Sequence, residues 1–277
     1  MEEDKRKGIV LPTVATPIQS VNPKNLLLFG LQKCGKTTAL SKLKGCLIID
    51  TEVEGTEFVE ALRLKVPMNA GPVTKMTWLK DVAKAIRAAG CPYDYVAIDT
   101  LTEVDEWAEW SGTMAYMNSI AGKNFNRNPA TGVMLPPTDV NYESVHTLPN
   151  GYGYRWSRQE MTEIYELFQS IGKVCTIFVC HVMDKNVVSK LTNSEVKTMD
   201  ISLTGKVRDI IGRRVTGIGY VYNKGGELMI SFKGNEDKVG GIRSEHIRGY
   251  EGVLDWDKIF IKEESKQTTN ETKTTAK

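Results

Sequence analysis

Net charge, paired cysteine and long apolar runs are all scarce in this 277-residue sequence. Lys and Arg total 36 against 34 Asp and Glu, a formal net charge of +2. A domain that holds nucleic acid by bulk charge is strongly basic, so a polyanion would have to find one local groove here. The five cysteines, Cys34, Cys46, Cys91, Cys175 and Cys180, are odd in number and form no C-x-x-C pair. That argues against a disulfide or zinc framework and points to a reducing cytoplasm. No run approaches the roughly 18 apolar residues of a membrane span. The N-terminus, MEEDKRKG, is charged and no apolar stretch follows it, so a secretory leader is not expected. What is present, 41% hydrophobic and 25% charged residues, is the composition of an ordinary globular domain.

Residues 1–24 carry Pro12, Pro17 and Pro23 with few apolar clusters. They read as an extended lead-in with an edge strand around Ile9–Leu11. Residues 263–277 contain no large apolar residue and predict a disordered tail. Between these ends, Leu26–Phe29, Cys46–Asp50, Tyr95–Asp99 and Cys175–Cys180 are continuous apolar runs. Continuity, rather than alternation, marks strands covered on both faces in a parallel sheet. Trp78–Ala89 places Leu79, Val82, Ala83 and Ile86 on one helical face ahead of Gly90. Arg155–Ile171 does the same with Met161, Ile164, Tyr165, Phe168 and Ile171. Strand–helix alternation predicts an α/β fold with right-handed crossovers. Val215–Tyr222 and Leu228–Phe232, either side of Asn223-Lys224-Gly225-Gly226, predict a C-terminal β-hairpin. Residues 111–154 lack periodicity and are rich in Asn, Gly, Pro and Tyr, which predicts a long irregular insertion.

The most specific signal is Gly30-Leu-Gln32-Lys33-Cys34-Gly35-Lys36-Thr37. It follows the strand Asn25–Phe29 directly, and Thr38-Ala-Leu-Ser can begin a helix. The spacing is GxxxxGK[ST] in the strand–loop–helix setting that a phosphate-binding loop needs. Gly30 and Gly35 permit backbone angles that a side chain would block. The loop can then turn its N–H groups, from Gly30 through Thr38, on a phosphate at the positive end of the helix. Lys36 can reach the outer phosphates of a nucleoside triphosphate, and the Thr37 hydroxyl can ligate Mg²⁺. A second signal is Tyr95-Val-Ala-Ile-Asp99-Thr100, an apolar run ending in a carboxylate. A buried Asp is costly unless it is paired or near a metal, so Asp99 is a candidate magnesium holder. Residue 100 is Thr rather than Glu, so a catalytic base must come from elsewhere.

Leu47-Ile-Ile-Asp50-Thr-Glu52 follows the loop's helix and resembles the strand that carries the catalytic glutamate in RecA-type recombinases. Ile98-Asp99-Thr100-Leu-Thr102 resembles their magnesium strand. Cys175-Thr-Ile-Phe-Val-Cys-His181 resembles the next strand, which ends in a polar γ-phosphate sensor. Gly205-Lys-Val-Arg-Asp-Ile-Ile resembles the helix after the second DNA loop. Over roughly residues 20–250 the chain resembles a short, core-only RecA-like protein of phages. Such proteins are described as AAA-domain or nucleotide-binding proteins, and some act as single-strand annealing recombinases. The resemblance implies a three-layer α/β RecA-like P-loop NTPase with a mostly parallel central sheet, a core over residues 25–262 and an insertion at about 111–157. It places strand 175–180 between the P-loop strand and the Asp99 strand. It implies ATP and Mg²⁺ as cofactors, with Glu52 as the base that activates water, Glu103 in reserve, and Lys36 and His181 beside it.

The resemblance further implies single-stranded DNA as partner, a homo-oligomer, and contact with a single-strand binding protein or other recombination proteins. It implies no membrane, and a bacterial host cytoplasm if the protein is phage-encoded. The DNA segments would be 111–157, with Lys123, Arg127, Tyr142, Tyr152, Tyr154, Arg155 and Trp156, and 184–204, with Lys185, Lys190 and Lys197 ahead of Lys206 and Arg208. Basic residues track phosphates and aromatics stack bases, although Asp139, Glu143, Glu195 and Asp200 dilute both segments. Arg213, Arg214 and Arg243 are candidates for a γ-phosphate contact across a subunit interface or as sensors; the plainer alternative is surface arginine. Three other functions compete. A small-molecule kinase would need an arginine-rich lid, and the insertion holds only Arg127 and Arg155. A GTPase would need an NKxD base reader, and Asn223-Lys224-Gly225-Gly226 lacks the Asp. A module that uses nucleotide only to assemble remains compatible with every motif.

Overall fold

Every position of Asn25–Gly30 is buried, and the same is true of Cys46–Asp50. Such segments can be satisfied only inside a sheet covered on both sides. The computed structural model describes residues 11, 13–52, 56–136, 143–188, 195–235 and 238–262. Most of the expected edge strand near Ile9, Asp139 and Tyr142 of the insertion, Lys190, and the tail from 263 lie outside the described residues, as do the side chains of Lys185, Glu195 and Lys197. In chain order the elements are β1 (Asn25–Gly30), α1 (Lys36–Ser41), β2 (Cys46–Asp50), β3 (Leu62–Lys65), α2 (Pro72–Ala88), β4 (Tyr95–Asp99), α3 (Leu101–Met117) and α4 (Tyr154–Phe168). They continue with β5 (Cys175–Val188), β6 (Glu195–Ile201), α5 (Val207–Arg214), β7 (Gly217–Lys224), β8 (Glu227–Ser231), β9 (Gly241–Ile242), β10 (Glu251–Val253) and α6 (Trp256–Ile259).

The strands form one sheet in the order β10-β8-β7-β1-β5-β4-β2-β3, with β6 paired to β5 and β9 to β7. From β7 to β3 all neighbours along this path are parallel. β8 and β10 extend the sheet antiparallel. β5 lies between β1 and β4, the order expected from the sequence. Side chains alternate across the sheet with period two. Leu27, Phe29, Ile49, Ile98 and Phe178 face a layer made by α2, α3, α4 and α5. Leu26, Leu28, Ile48, Ala97 and Ile177 face the other side, under α1 and α6. The molecule is a three-layer α/β domain with a mostly parallel central sheet. Each fully buried Leu, Ile or Phe in these layers contributes about 1.5–3 kcal/mol.

Helix α2 starts at Pro72, six residues before the expected Trp78, with proline at the first turn where its missing N–H costs nothing. The expected helix at 155–171 ends earlier, at Phe168. Two readings are corrected. First, residues 111–117 are helical, the last part of α3. The buried stripe of α3 includes Asp105, Gly112 and Thr113, so apolar periodicity does not reveal it. Beyond it, described residues on both sides of 137–142 pack against the helix pair. Tyr116 packs against the rings of Phe125, Tyr152 and Trp156, and the Val145 N–H donates to Thr113 Oγ1 at 2.9 Å. Second, the expected irregular loop at 184–204 is in large part a two-stranded ribbon. β5 continues past the sheet and pairs antiparallel with β6, from Val182↔Ile201 to Val188↔Glu195. The expected C-terminal hairpin is β7–β8, turning at Gly225 and Gly226, both in the left-handed region.

Candidate active site

Parallel register brings four strand ends to one edge. Gly30 of β1 pairs with His181 of β5, and Asp99 of β4 pairs with both Val179 of β5 and Asp50 of β2. In an open α/β sheet, ligands bind outside this carboxyl edge. A cleft of about 820 Å³ lies there, lined by Lys33, Gly35, Lys36, Thr37, Thr38, Glu52, Phe58, Val59, Asp99, Thr100 and His181.

One wall is the loop between β1 and α1. A Cβ on Gly30 would sit 2.2 Å from the carbonyl oxygen of Val221, so only glycine lets β1 approach β7 there. Gly35 takes φ +105°, which turns the chain into α1. Lys36 is only 7% exposed. Its Nζ donates to the carbonyls of Gly30 at 3.0 Å and Leu31 at 2.7 Å. Cys34 points away from the cleft, its Sγ 3.8 Å from the Val221 carbonyl. Of the expected loop residues, Lys33, Gly35, Lys36, Thr37 and Thr38 line the cleft, while Gly30, Gln32 and Cys34 shape the loop without lining it.

The Thr37 hydroxyl donates to Asp99 Oδ2 at 2.6 Å. Asp99 is 5% exposed, and burial pushes its carboxyl up to about 6, with the negative charge of Glu52 adding to the rise and the Thr37 bond opposing it. A buried carboxylate short of positive charge beside a hydroxyl suits a hard, oxygen-seeking divalent cation. Among the described residues no cluster of three or more His, Cys, Asp or Glu side chains could hold a metal alone. A cation at Thr37 and Asp99 would therefore share its shell with phosphate oxygens and water. The donors present fit magnesium accompanied by a nucleoside triphosphate.

The other wall follows β2. Asp50 is buried and accepts bonds from the Glu52 N–H, the Thr56 N–H and the Thr56 hydroxyl, at 3.1, 3.1 and 2.6 Å. Glu52 and Thr56 are thus both tied to one carboxylate, and Glu52 lines the cleft. Glu52 Oε1 lies 2.7 Å from His181 Nε2 and accepts from the Thr100 hydroxyl at 3.2 Å. The His181 hydrogen bond holds the Glu52 carboxyl below its usual range, against the opposing effect of burial. The His181 N–H donates to Thr102 Oγ1 at 2.9 Å, so α3 fixes the end of the sheet portion of β5. Thr100 also caps α3, and the peptide joining it to Asp99 is cis. Glu103, the reserve base, instead accepts from the Trp107 indole at 3.1 Å and does not line the cleft.

A family model described as an AAA domain matches residues 22–244. The chain belongs to this family. It is therefore an AAA-type P-loop ATPase domain, the class of domain that binds and hydrolyses nucleotide, and Lys36, Thr37, Asp99, Glu52 and His181 all fall within the matched span. Among solved structures, the chain is similar to a prototypical ATPase from the type III secretion system of pathogenic bacteria. The identity is 12% and the TM-score 0.42, over 73% of this chain and 53% of that one, so the chain spans about half the length of that structure. No curated protein matches it.

Two cleft residues were not anticipated from sequence. Phe58 is 88% exposed on the Glu52 wall, with Val59 beside it. A lone aromatic in the polar stretch Thr56-Glu57-Phe58-Val59-Glu60 has no periodicity to mark it. Arg213, Arg214 and Arg243 lie elsewhere. They flank the start of β7, whose Gly217 pairs with Leu26 near the start of β1, at the edge of the sheet opposite the cleft. Position therefore corrects the expectation that any of them acts as a sensor in this chain's own cleft; a contact across an interface would need another copy.

Proposed function

We propose that this AAA-domain protein hydrolyses ATP with Mg²⁺, using Glu52 to orient the attacking water, and couples turnover to single-stranded DNA in recombination or annealing. The observation that carries the hydrolytic part is the 2.7 Å contact of Glu52 with His181 in the cleft that Lys36, Thr37 and Asp99 line. Lys36 exchanges its loop carbonyls for phosphate oxygens. Thr37 and Asp99 would hold magnesium, which when bound neutralises charge on the phosphates. Phe58 offers an apolar face on which a purine base can stack. Glu52 stays ionised at neutral pH. Its lowered basicity suits a reaction in which positioning of the nucleophile outweighs proton abstraction. His181 then couples the γ-phosphate end of the cleft to β5 and its ribbon.

The DNA part rests on the resemblance to core-only RecA-like proteins of phages, as do assembly into a homo-oligomer, recombination partners and a bacterial host cytoplasm. Among the described residues no helix is long and apolar enough to cross a membrane. A kinase is disfavoured because Arg127 spends its guanidinium on the carbonyls of Lys123 and Gly132 rather than facing an acceptor. One observation favours assembly without turnover: Glu52 Oε1 already accepts from both His181 and Thr100. The ATPase rate with and without single-stranded DNA, for wild type and Glu52→Gln, decides. We expect DNA to raise the wild-type rate and Glu52→Gln to cut it about 10²–10⁴-fold. Equal rates with and without DNA sink the coupling, and a wild type that binds ATP but never turns it over leaves the assembly module.

A further inference from the structure

On the layer of helices that covers one face of the sheet, α4 and α5 run side by side. Two shallow clefts open along their seam. The first, of about 510 Å³, has Arg155, Arg158 and Ile210 in its lining. The second, of about 450 Å³, has Tyr165, Arg213, Arg214 and Arg243. Glu166 lines both, so the two clefts adjoin end to end and form one track along the seam.

The charges along this track do not balance. Its two carboxylates are already engaged, Glu163 with Lys80 at 2.8 Å and Glu166 with Arg214 at 3.1 Å. Among the described residues, Arg213 and Arg243 donate to backbone carbonyls, of Asp209 at 3.0 Å and Arg213 at 2.9 Å, and to no carboxylate. Arg155 and Arg158 have no carboxylate partner among the described residues. Four guanidinium groups, charged at any physiological pH, therefore line one seam without counter-charge of their own. Grouping like charges is unfavourable, and the planar fork of arginine matches phosphate oxygens. Length selects the kind of anion. From Arg155 to Gln169, α4 advances about 21 Å at 1.5 Å per residue, far longer than one triphosphate. A nucleic-acid strand carries a phosphate about every 3.4 Å of duplex rise and can meet all four arginines at once.

We propose that the α4–α5 seam is a docking track for the sugar–phosphate backbone of a nucleic-acid strand. The inference rests on the nucleic-acid part of the proposed function, and locates the backbone contact on a helical face rather than on the β5–β6 ribbon. Backbone contacts of this kind give affinity without sequence preference.

The test is fluorescence anisotropy of a labelled oligothymidylate with the full chain, titrated with salt, for wild type, Arg155→Ala/Arg158→Ala and Arg155→Lys/Arg158→Lys. The alanine pair should bind about tenfold or more weakly. Its slope of log K against log salt should be shallower by about 1.4, since each phosphate contact on a single strand adds about 0.7. The lysine pair should keep most of the slope, and melting temperatures should be unchanged, because neither side chain holds another element. Arg213→Ala/Arg243→Ala should reproduce the loss from the other end of the track. An alanine pair that binds like wild type overturns the track and leaves DNA coupling standing. A wild type that binds no oligonucleotide removes both. Lost self-association in light scattering, with oligonucleotide binding intact, overturns the proposal in favour of a second copy of the chain.

Discussion

The two walls of the cleft are built differently. The phosphate wall stands on β1 and β4, whose strand positions are buried almost throughout, and its two buried charged groups are hydrogen-bonded to the loop: Lys36 to two carbonyls, Asp99 to the Thr37 hydroxyl. The facing wall stands on β2, next to the edge strand β3. Asp50, Thr51 and Thr56 are deeply held there, but Glu52 is half-buried and Phe58 is almost wholly exposed. A preformed wall can bind and hold an anion at little ordering cost. A wall that is mostly side chain on a short loop is suited to steps that must differ between ground state and transition state, such as positioning a water.

The contrast predicts that substitutions on the two walls fail in different ways. The largest effect should come from Lys36→Ala, which removes ATP binding as read by equilibrium titration. Glu52→Gln should leave that affinity within a few-fold while kcat falls about 10²–10⁴-fold. If both variants lose affinity alike, the division of labour between the walls is wrong. The next effect concerns the cost of holding Asp99. Its carboxyl is raised from 3.8 to about 6 in the fold. The cost of ionising it is thus absent below about pH 4, grows between 4 and 6, and is complete above that, at about 3 kcal/mol. Asp99→Asn should therefore stabilise the protein against urea by up to that amount at pH 7.5 and by almost nothing at pH 4. An equal gain at both pH values would rule ionisation out as the cause. The smallest effect should be at Phe58. Loss of base stacking costs about 1–3 kcal/mol, so Phe58→Ala should weaken ATP binding about 5- to 150-fold while leaving inorganic tripolyphosphate unaffected. If tripolyphosphate weakens equally, Phe58 shapes the loop rather than meeting the base.

How much could be read from sequence follows the same division. Strands buried on both faces announce themselves as continuous apolar runs, so β1, β2, β4 and the first half of β5 are legible, and with them the phosphate wall. The loop's spacing carries Lys36 and Thr37 without any tertiary information. Helix α3 is hidden because Asp105, Gly112 and Thr113 sit on its buried stripe; its one clear local sign is Thr100 with Glu103 three residues on, the pattern of a capping box. The ribbon is hidden because β5 leaves the sheet at His181, and beyond it Asp184, Lys185 and Asn186 carry no apolar run. β3 is four residues at a sheet edge with Leu62 and Leu64 exposed, too short and too open to stand out. Arg213, Arg214 and Arg243 sit where the chain enters β7, at the edge opposite the cleft. That placement is visible only once strand directions are known.

β5 has two sets of neighbours. Up to His181 it is clamped between β1 and β4, and from Val182 onward its ladder partner is β6 alone. The change of partner falls at the residue whose imidazole touches Glu52. In mechanical terms the strand is a beam gripped on two sides up to the imidazole and on one side beyond it. The residue that steadies the carboxylate is thereby also the joint at which this strand passes from two neighbours to one.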